Sequence, residues 1–133
     1  MLKIKTHLEK SSIPGAGTGL FASEFIPKDT IIWEFNSEHD KEYTKEEIEK
    51  CNALDKQFLS TYTFVYDAKY YLCIDNARFF NHSNNPNCYS EGFDKGNLGY
   101  TRSKRDINIG EELTDDYKGF GLTEEDKKWN IGF

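Results

Sequence analysis

The sequence has few cysteines, and they do not form a recognisable metal or disulfide pattern. Cys51, Cys73 and Cys88 are an odd number, lie far apart and include no C-x-x-C pair. A disulfide framework needs paired cysteines, and a zinc knuckle needs closely spaced ones. We therefore expect reduced thiols, mostly in the core, and no bound metal.

Long hydrophobic runs are also missing. No stretch approaches the roughly 18 apolar residues that cross a bilayer, and the start of the chain, MLKIK, lacks the apolar region of a signal peptide. We expect a soluble intracellular protein without a membrane partner. It would be cytoplasmic, or nuclear if the host is eukaryotic.

Basic residues are in the minority. The chain has 17 Lys and Arg against 23 Asp and Glu, a net charge of −6. An acidic protein repels nucleic acid phosphates and attracts basic partners. We therefore expect no direct nucleic acid binding, and a basic, lysine-containing protein or peptide as the partner.

Proline and methionine are scarce, whereas aromatic residues are abundant. Only three Pro and one Met occur, but Phe, Trp and Tyr make up 15% of the 133 residues. Tyr and Phe must therefore supply much of the core volume, which suits a β-rich fold. The length predicts a single domain over residues 1–133, mainly β with short helices. A homodimer is compatible with this size, but no motif predicts one.

Hydrophobic patterns predict short strands joined by turns. We expect the second and third strands to form a hairpin through Pro27, and the fourth and fifth to form one through Asp67 and Ala68. The predicted strands cover residues 2–8, 20–25, 30–35, 61–66, 69–74, 88–91 and 98–103.

Two helices are predicted. TKEE at 44–47 has the form of a capping box, and apolar residues then recur at three- and four-residue spacing, which predicts one helix of about four turns. Its predicted apolar face is Ile48, Cys51, Leu54 and Phe58. A short last helix could begin at Thr123, before Trp129.

Three segments carry residues suited to chemistry. The first, GAGTG at 15–19, is either a flexible turn or a ligand site; it is not the dinucleotide fingerprint, because strand-like LFA follows it. The second, ARFFNHSNNPN at 77–87, places aromatic rings beside an amide and an imidazole. His82 is either a structural histidine or a binding residue, and it lacks the neighbours of a metal ligand.

The third segment, RDINIGEELTDDY at 105–117, ends in two carboxylates before an aromatic residue. Adjacent residues on a strand point to opposite faces, so Asp115 and Asp116 are poorly placed to bind one cation. We expect them to belong to a solvated face.

In this order, G-x-G, R-F-x-N-H-S-x-x-P-N and R-D-I-x-x-G-E-E-L-T-x-D-Y, the three segments resemble the SET domain of protein-lysine methyltransferases. The resemblance extends over about residues 2–117. It implies several short sheets with a pseudoknot at the active site, which would bring Tyr117 beside Asn81 and His82.

The resemblance also implies S-adenosylmethionine as cofactor, transfer of its methyl group to a protein lysine, and Tyr117 as the catalytic residue. The cofactor-binding residues that it implies are Gly17, Thr18, Gly19, Arg78, Phe79, Asn81, His82 and Tyr117.

The reaction requires an uncharged amine, because the nitrogen lone pair attacks the methyl carbon of a sulfonium. A free lysine has a pKa of roughly 10.4, and burial in an apolar channel lowers it. We therefore expect a narrow aromatic channel. Its candidate residues are Tyr62, Tyr66, Tyr70 and Tyr71, for each of which ordinary sheet packing is an equal alternative.

The chain departs from the family pattern in several places. It has no cysteine-rich zinc segment after Tyr117, which makes it a compact form with a tail over 118–133. Aromatic residues of this tail would cover the cofactor or pack on the core. The insert at about 36–60, which helps to choose the substrate in the family, is short. Asp115 stands at a position resembling the family's switch for the number of methyl groups added, and Asn84 replaces a common cysteine.

Two alternatives remain open from the sequence. The chain could be a SET-fold binding module without catalytic activity. It could also be a methyltransferase acting on another nucleophile, such as histidine or a small free amine.

Overall fold

The computed structural model of the protein describes residues 1–116, which form ten short strands, two α-helices and one 3₁₀ turn. The strands are β1 Thr6–Lys10, β2 Thr18–Ala22, β3 Ile31–Glu34, β4 Lys41–Tyr43, β5 Thr63–Tyr66, β6 Lys69–Leu72, β7 Asn81–His82, β8 Cys88–Glu91, β9 Tyr100–Ser103 and β10 Thr114–Asp115. The helices are α1 Lys45–Glu49 and α2 Ala53–Tyr62, and the 3₁₀ turn is Asn76–Phe79.

The strands form four small sheets. Three are antiparallel: β1 with β2, β4–β6–β5, and β3–β9–β8; the fourth is the parallel pair of β7 and β10. The prediction of a mainly β fold with short helices is therefore confirmed. None of the helices in this part of the chain is long and apolar enough to cross a membrane.

One predicted hairpin is confirmed and the other is wrong. β5 and β6 pair through Asp67 and Ala68, whose φ angles of 50° and 60° are those of a tight two-residue turn. By contrast, β2 pairs with β1, and β3 pairs with β9. The reason is the connection between β2 and β3, where Ile26 exchanges two main-chain hydrogen bonds with Ile107, of 2.9 and 2.8 Å, and is fully buried. The chain therefore crosses the core at this point and does not turn back on itself.

The predicted four-turn helix is divided in two. The capping box at Thr44 is present and starts α1, but the Asn52 side chain accepts a 2.9 Å hydrogen bond from the Asp55 main chain and starts a new helix. The break changes which side chains face inward. Leu54 and Phe58 are exposed, 76% and 43%, whereas Leu59 is buried.

The core is divided between clusters under different sheets. One is fully buried beneath β2 and the segment leading to β10, and consists of Leu20, Ala22, Ile26, Ile32, Cys88, Ile107 and Leu113. A second, under the β5–β6 hairpin, contains Ile48, Leu59, Val65 and Tyr70.

The three cysteines are free thiols, and Cys73 and Cys88 are buried, as predicted. Burial raises the pKa of Cys73 to about 12, so this thiol stays protonated.

The segment 81–87 wraps along β10. β7 pairs with β10 in parallel, with Asn81 opposite Thr114. At the other end Asn87 is buried, and its side chain donates to the Glu112 carbonyl (2.8 Å) and accepts from the Thr114 amide (2.9 Å). The Asn87 amide thus substitutes for a neighbouring strand. This crossing is the arrangement that the resemblance implied.

We predict that Asn87→Ala lowers the free energy of unfolding by about 2–4 kcal/mol, because it leaves two main-chain groups without partners and each buried unsatisfied group costs about 1–3 kcal/mol. The measurement is urea denaturation followed by circular dichroism. Asn85→Ala is the matched control, since Asn85 is exposed in the same loop, and we expect a change within about 0.5 kcal/mol. Equal losses in both variants would contradict this account of Asn87.

Candidate active site

The Gly17–Gly19 segment begins β2, and its first two residues lie at the surface. Gly17 has a φ of +73°, which favours glycine, and no atom lies within 4 Å of where a Cβ would stand. Gly17 and Thr18 are exposed. Another molecule can therefore approach the backbone closely at this point.

Gly19 is required for a different reason. A Cβ at this position would lie 2.7 Å from Glu112 Oε2 and 3.2 Å from the Phe21 ring. Glycine therefore makes room for a carboxylate of this chain. The second glycine of the motif is explained by internal packing, which its sequence spacing does not reveal.

Glu112 is a hydrogen-bond hub between distant parts of the chain. Its carboxylate accepts from the Ser11 hydroxyl (2.8 Å), the Ser12 main chain (3.0 Å) and the Asn81 amide (3.1 Å). Burial alone raises the pKa of Glu112, but these hydrogen bonds outweigh burial and hold the pKa below its ordinary value. Glu112 is therefore ionised and holds three segments together.

Asn81 joins the Gly17–Gly19 segment to β7. Its side-chain amide donates to the Thr18 carbonyl, at 3.1 Å, as well as to Glu112. Next to it, His82 Nε2 lies 3.1 Å from Asn84 Oδ1, and His82 Nδ1 lies 3.6 Å from Asp116 Oδ1. Asn81 thus contacts the glycine segment, and Asn81 and His82 both lie alongside β10. Tyr117, the predicted catalytic residue, and the tail that follows it lie outside the described residues.

Arg78 and Phe79 lie on the adjoining 3₁₀ turn. The Arg78 guanidinium lies over the rings of Tyr62 and Phe79, 5.6 and 5.1 Å from their centres, and donates to the Ile74 carbonyl at 3.2 Å. Its Nε is buried without a hydrogen-bond partner among the described residues. The rings of Tyr62 and Phe79 therefore both pack against the Arg78 guanidinium.

A pocket of about 310 Å³ opens beside this turn. Its walls come from the end of α2, from β5 and from the 3₁₀ turn, and they are mostly apolar or aromatic. The lining residues are Trp33, Ser60, Thr61, Tyr62, Thr63, Phe64, Val65, Cys73, Ala77, Arg78, Phe80, Thr101 and Asp115. A pocket of this size and character accommodates an alkyl chain.

Of the four predicted channel tyrosines, Tyr62 lines this pocket. Tyr70 packs in the core cluster under the β5–β6 hairpin, and the Tyr71 ring stacks on Phe64 with centres 5.3 Å apart. Tyr66 packs edge-on against Phe93. The other aromatic wall residues, Trp33, Phe64 and Phe80, were not predicted, because they come from distant parts of the chain that meet only when the fold forms.

Asp115 corrects the expectation of a solvated acidic pair. It is only 4% exposed and lines the pocket. Its carboxylate accepts hydrogen bonds of 2.8 Å from Ser90 Oγ and from the Asp116 main chain. Burial raises the pKa of Asp115 above its ordinary value, although the Ser90 hydrogen bond lowers it in part. Strand alternation separates the two carboxylates, and Asp115 is the one that faces inward.

Comparison with known proteins gives a consistent family assignment. The model of the SET domain family matches residues 17–118. The chain is 37% identical over 108 residues to "Histone-lysine N-methyltransferase set1" of Dictyostelium discoideum, and 35% identical over 106 residues to "Histone-lysine N-methyltransferase SETD1B" of Homo sapiens. Each match covers 75% of this chain, but the chain spans only 7% and 5% of the length of these relatives.

Two further comparisons extend over more of the chain. It is 33% identical over 129 residues to "Histone-lysine N-methyltransferase mes-2" of Caenorhabditis elegans, covering 91% of this chain and 16% of the relative. The crystal structure of a Plasmodium falciparum protein assigned as a histone methyltransferase matches with a TM-score of 0.60 at 22% identity, covering 87% of this chain and 95% of that one. At that identity the structural match shows the fold alone.

We predict that Glu112→Gln makes the stability of the protein less sensitive to acid. A carboxylate whose pKa is lower in the folded state adds stability above its unfolded pKa, and that stability is lost as the pH falls through the folded pKa. Urea midpoints measured from pH 6 to pH 3 should therefore fall less steeply in Glu112→Gln than in the wild type.

Glu49→Gln, at an exposed glutamate that ends α1, changes the net charge equally and is the control. It should keep the wild-type slope. If Glu112→Gln also keeps that slope, its hydrogen bonds do not stabilise the ionised form.

Proposed function

Because the chain belongs to the SET domain family, we propose that it transfers a methyl group from S-adenosylmethionine to a lysine side chain of a basic protein. The observation that carries the proposal is the pocket with aromatic residues in its wall, one of which, Phe80, directly precedes Asn81, the residue that bonds to Thr18. The names of the relatives favour a histone-like, lysine-rich protein as the substrate. The net charge of −6 favours the same class of partner.

The residues of the Gly17–Gly19 segment and of positions 78–82 have a chemistry that fits S-adenosylmethionine. The exposed Gly17 and Thr18 suit the cofactor's amino-acid end, and partly exposed aromatic side chains at Phe79 and His82 suit its planar base. The residues that would hold it are Gly17, Thr18, Gly19, Arg78, Phe79, Asn81, His82 and Tyr117. When bound, S-adenosylmethionine supplies an electrophilic methyl group on a sulfonium.

The pocket would prepare the lysine. The rings of Tyr62, Phe64 and Phe80 can pack along the four methylene groups of a lysine stem, and they exclude water from its amine. Loss of water disfavours the charged ammonium, which lowers the lysine pKa and increases the share of reactive amine. Alignment of the amine contributes further, because a held nucleophile attacks more readily than a free one.

Tyr117 would lie next to the reacting atoms and is proposed as the catalytic residue. It follows β10 by two positions in a chain that brings Asp116 to within 3.6 Å of His82. We propose action inside the cell, in the cytoplasm or, in a eukaryotic host, the nucleus. That the chain binds neither nucleic acid nor a membrane, and that it could form a homodimer, stay predictions from the sequence.

The first experiment tests the cofactor. We expect calorimetric titration of the full chain with S-adenosylmethionine to show binding, and His82→Ala to weaken it by about tenfold, the effect of losing one good polar contact. The control is His39→Ala, at an exposed histidine in the segment before β4, which should bind as the wild type does. Absence of wild-type binding would contradict the proposal and favour a SET-fold binding module.

The second experiment tests catalysis. We expect the wild type to transfer radioactive methyl groups to a mixed pool of core histones, and Tyr117→Phe to bind the cofactor but to lose transfer by at least about a hundredfold, as expected of a group that acts in the transition state. Tyr43→Phe is the matched control, because Tyr43 packs against the second core cluster. Mass spectrometry of the product identifies the modified residue, and a methylated histidine would support the alternative nucleophile.

A further inference from the structure

One carboxylate, that of Asp115, lines the pocket. Asp115 lies beside Ser90, whose hydroxyl bonds to Asp115 at 2.8 Å and lies 3.3 Å from Thr101 Oγ1. Asp115 and Thr101 both line the pocket and are each 4% exposed. A pocket whose walls are mostly apolar or aromatic therefore contains one buried carboxylate, which accepts a hydrogen bond from the neighbouring strand β8.

Asp115 forms no salt bridge with a lysine or arginine within residues 1–116, and the titratable cation that acts on it is the nearby His82. The basic residue that lines the same pocket, Arg78, is held over two aromatic rings and bonds to the Ile74 carbonyl. A buried charge without a salt-bridge partner is costly, so a further cation would complete the pocket electrostatically.

The shape and chemistry of the pocket together select its ligand. The aromatic rings in the wall favour an alkyl chain, and the single carboxylate that lines the pocket favours a positive group at the tip of that chain. A primary alkylammonium has both features. A metal ion would need several oxygen ligands, and no group of three or more acidic, His or Cys side chains in the described part of the chain could supply them.

We propose that Asp115, positioned by Ser90, binds the cationic end of an alkylammonium ligand in this pocket. The identification of that ligand as the substrate lysine rests on the proposed function; the binding of an alkylammonium ion does not. The pocket would then recognise its ligand by charge as well as by shape.

The same pairing provides a proton acceptor. Methyl transfer needs the lone pair of the amine, and an ammonium bonded to Asp115 can pass one proton to a carboxylate oxygen. The products are a neutral amine and a neutral carboxylic acid, and a dry pocket favours this neutral pair over the ion pair. Asp115 therefore captures the charged lysine and can also release it in the reactive form.

The surroundings of Asp115 determine how its binding depends on pH. The polar and titratable groups facing it are His82 on β7, Cys88 and Ser90 on β8, and the neighbouring Asp116. Burial raises the pKa of Asp115, so alkylammonium binding should weaken on acidification at a pH above the ordinary range for Asp. Removing the Ser90 hydroxyl should move this midpoint to a still higher pH.

The test uses n-butylammonium chloride, which reproduces the end of a lysine side chain, and 1-butanol, its neutral analogue. Binding to the full chain is measured from chemical-shift changes in nitrogen–proton correlation spectra at pH 7. We expect n-butylammonium to bind and 1-butanol to bind at least about tenfold more weakly. Asp115→Asn should lose about tenfold or more in affinity for the cation, as expected of a charged hydrogen bond.

Glu49→Gln removes the same charge at the surface and should bind as the wild type does. Ser90→Ala keeps the carboxylate and should shift the pH midpoint of binding upward, which a merely structural role for Asp115 would not cause. The unchanged part of each spectrum reports that the variant is folded. No binding of n-butylammonium, equal binding of 1-butanol, or unchanged binding by Asp115→Asn would each overturn the proposal.

The two proposals fail separately. If an amine binds in a way that depends on Asp115 but the wild type transfers no methyl group, the proposed cation pocket is supported and the proposed enzymatic function is contradicted. Methyl transfer without such binding would contradict only the proposed role of Asp115.

Discussion

The structure depends on one crossing, in which the buried Asn87 side chain bonds to the main chain on both sides of Leu113. This contact fixes β10 against the loop that follows β7. Because β10 and the residues before it are fixed there, Glu112 faces the N-terminal serines while Asp115 faces the pocket. The contacts of Glu112 and the position of Asp115 in the pocket thus both follow from this one crossing. The buried core cluster that contains Leu20 and Leu113 packs beneath this crossing and excludes water from it.

The sequence predicted the elements whose information is local. The capping box at Thr44 and the tight turn at Asp67 are set by neighbouring residues, and both are present. The resemblance of three ordered segments also implied that the segment at Asn81 crosses the last motif, and the parallel pairing of β7 with β10 is that crossing. These motifs contain the residue types that their chemistry needs, so they can be recognised without knowledge of the fold.

Elements set by distant contacts were not predictable in this way. β3 pairs with β9, about 70 residues along the chain, because Ile26 and Ile107 meet in the core, and no local pattern encodes that meeting. The apolar spacing through Leu54 favoured one helix, but a single capping side chain at Asn52 divided it. The burial of Asp115 depends on which face of a two-residue strand meets the pocket, and two residues are too few to show a period.

The contacts of Glu112 have a consequence for how the chain assembles. Its partner Ser11 lies 101 positions earlier, so the two residues meet only after nearly all of the described chain is available. Contacts of such long range carry a large loop-closure entropy and slow the folding of small domains. During synthesis on a ribosome, the edge of β2 that bridges Glu112 would stay unpaired until residue 112 has been made. We therefore expect the contacts of Glu112 to form late in folding, and a chain that stalls before they form would expose the edges of its sheets.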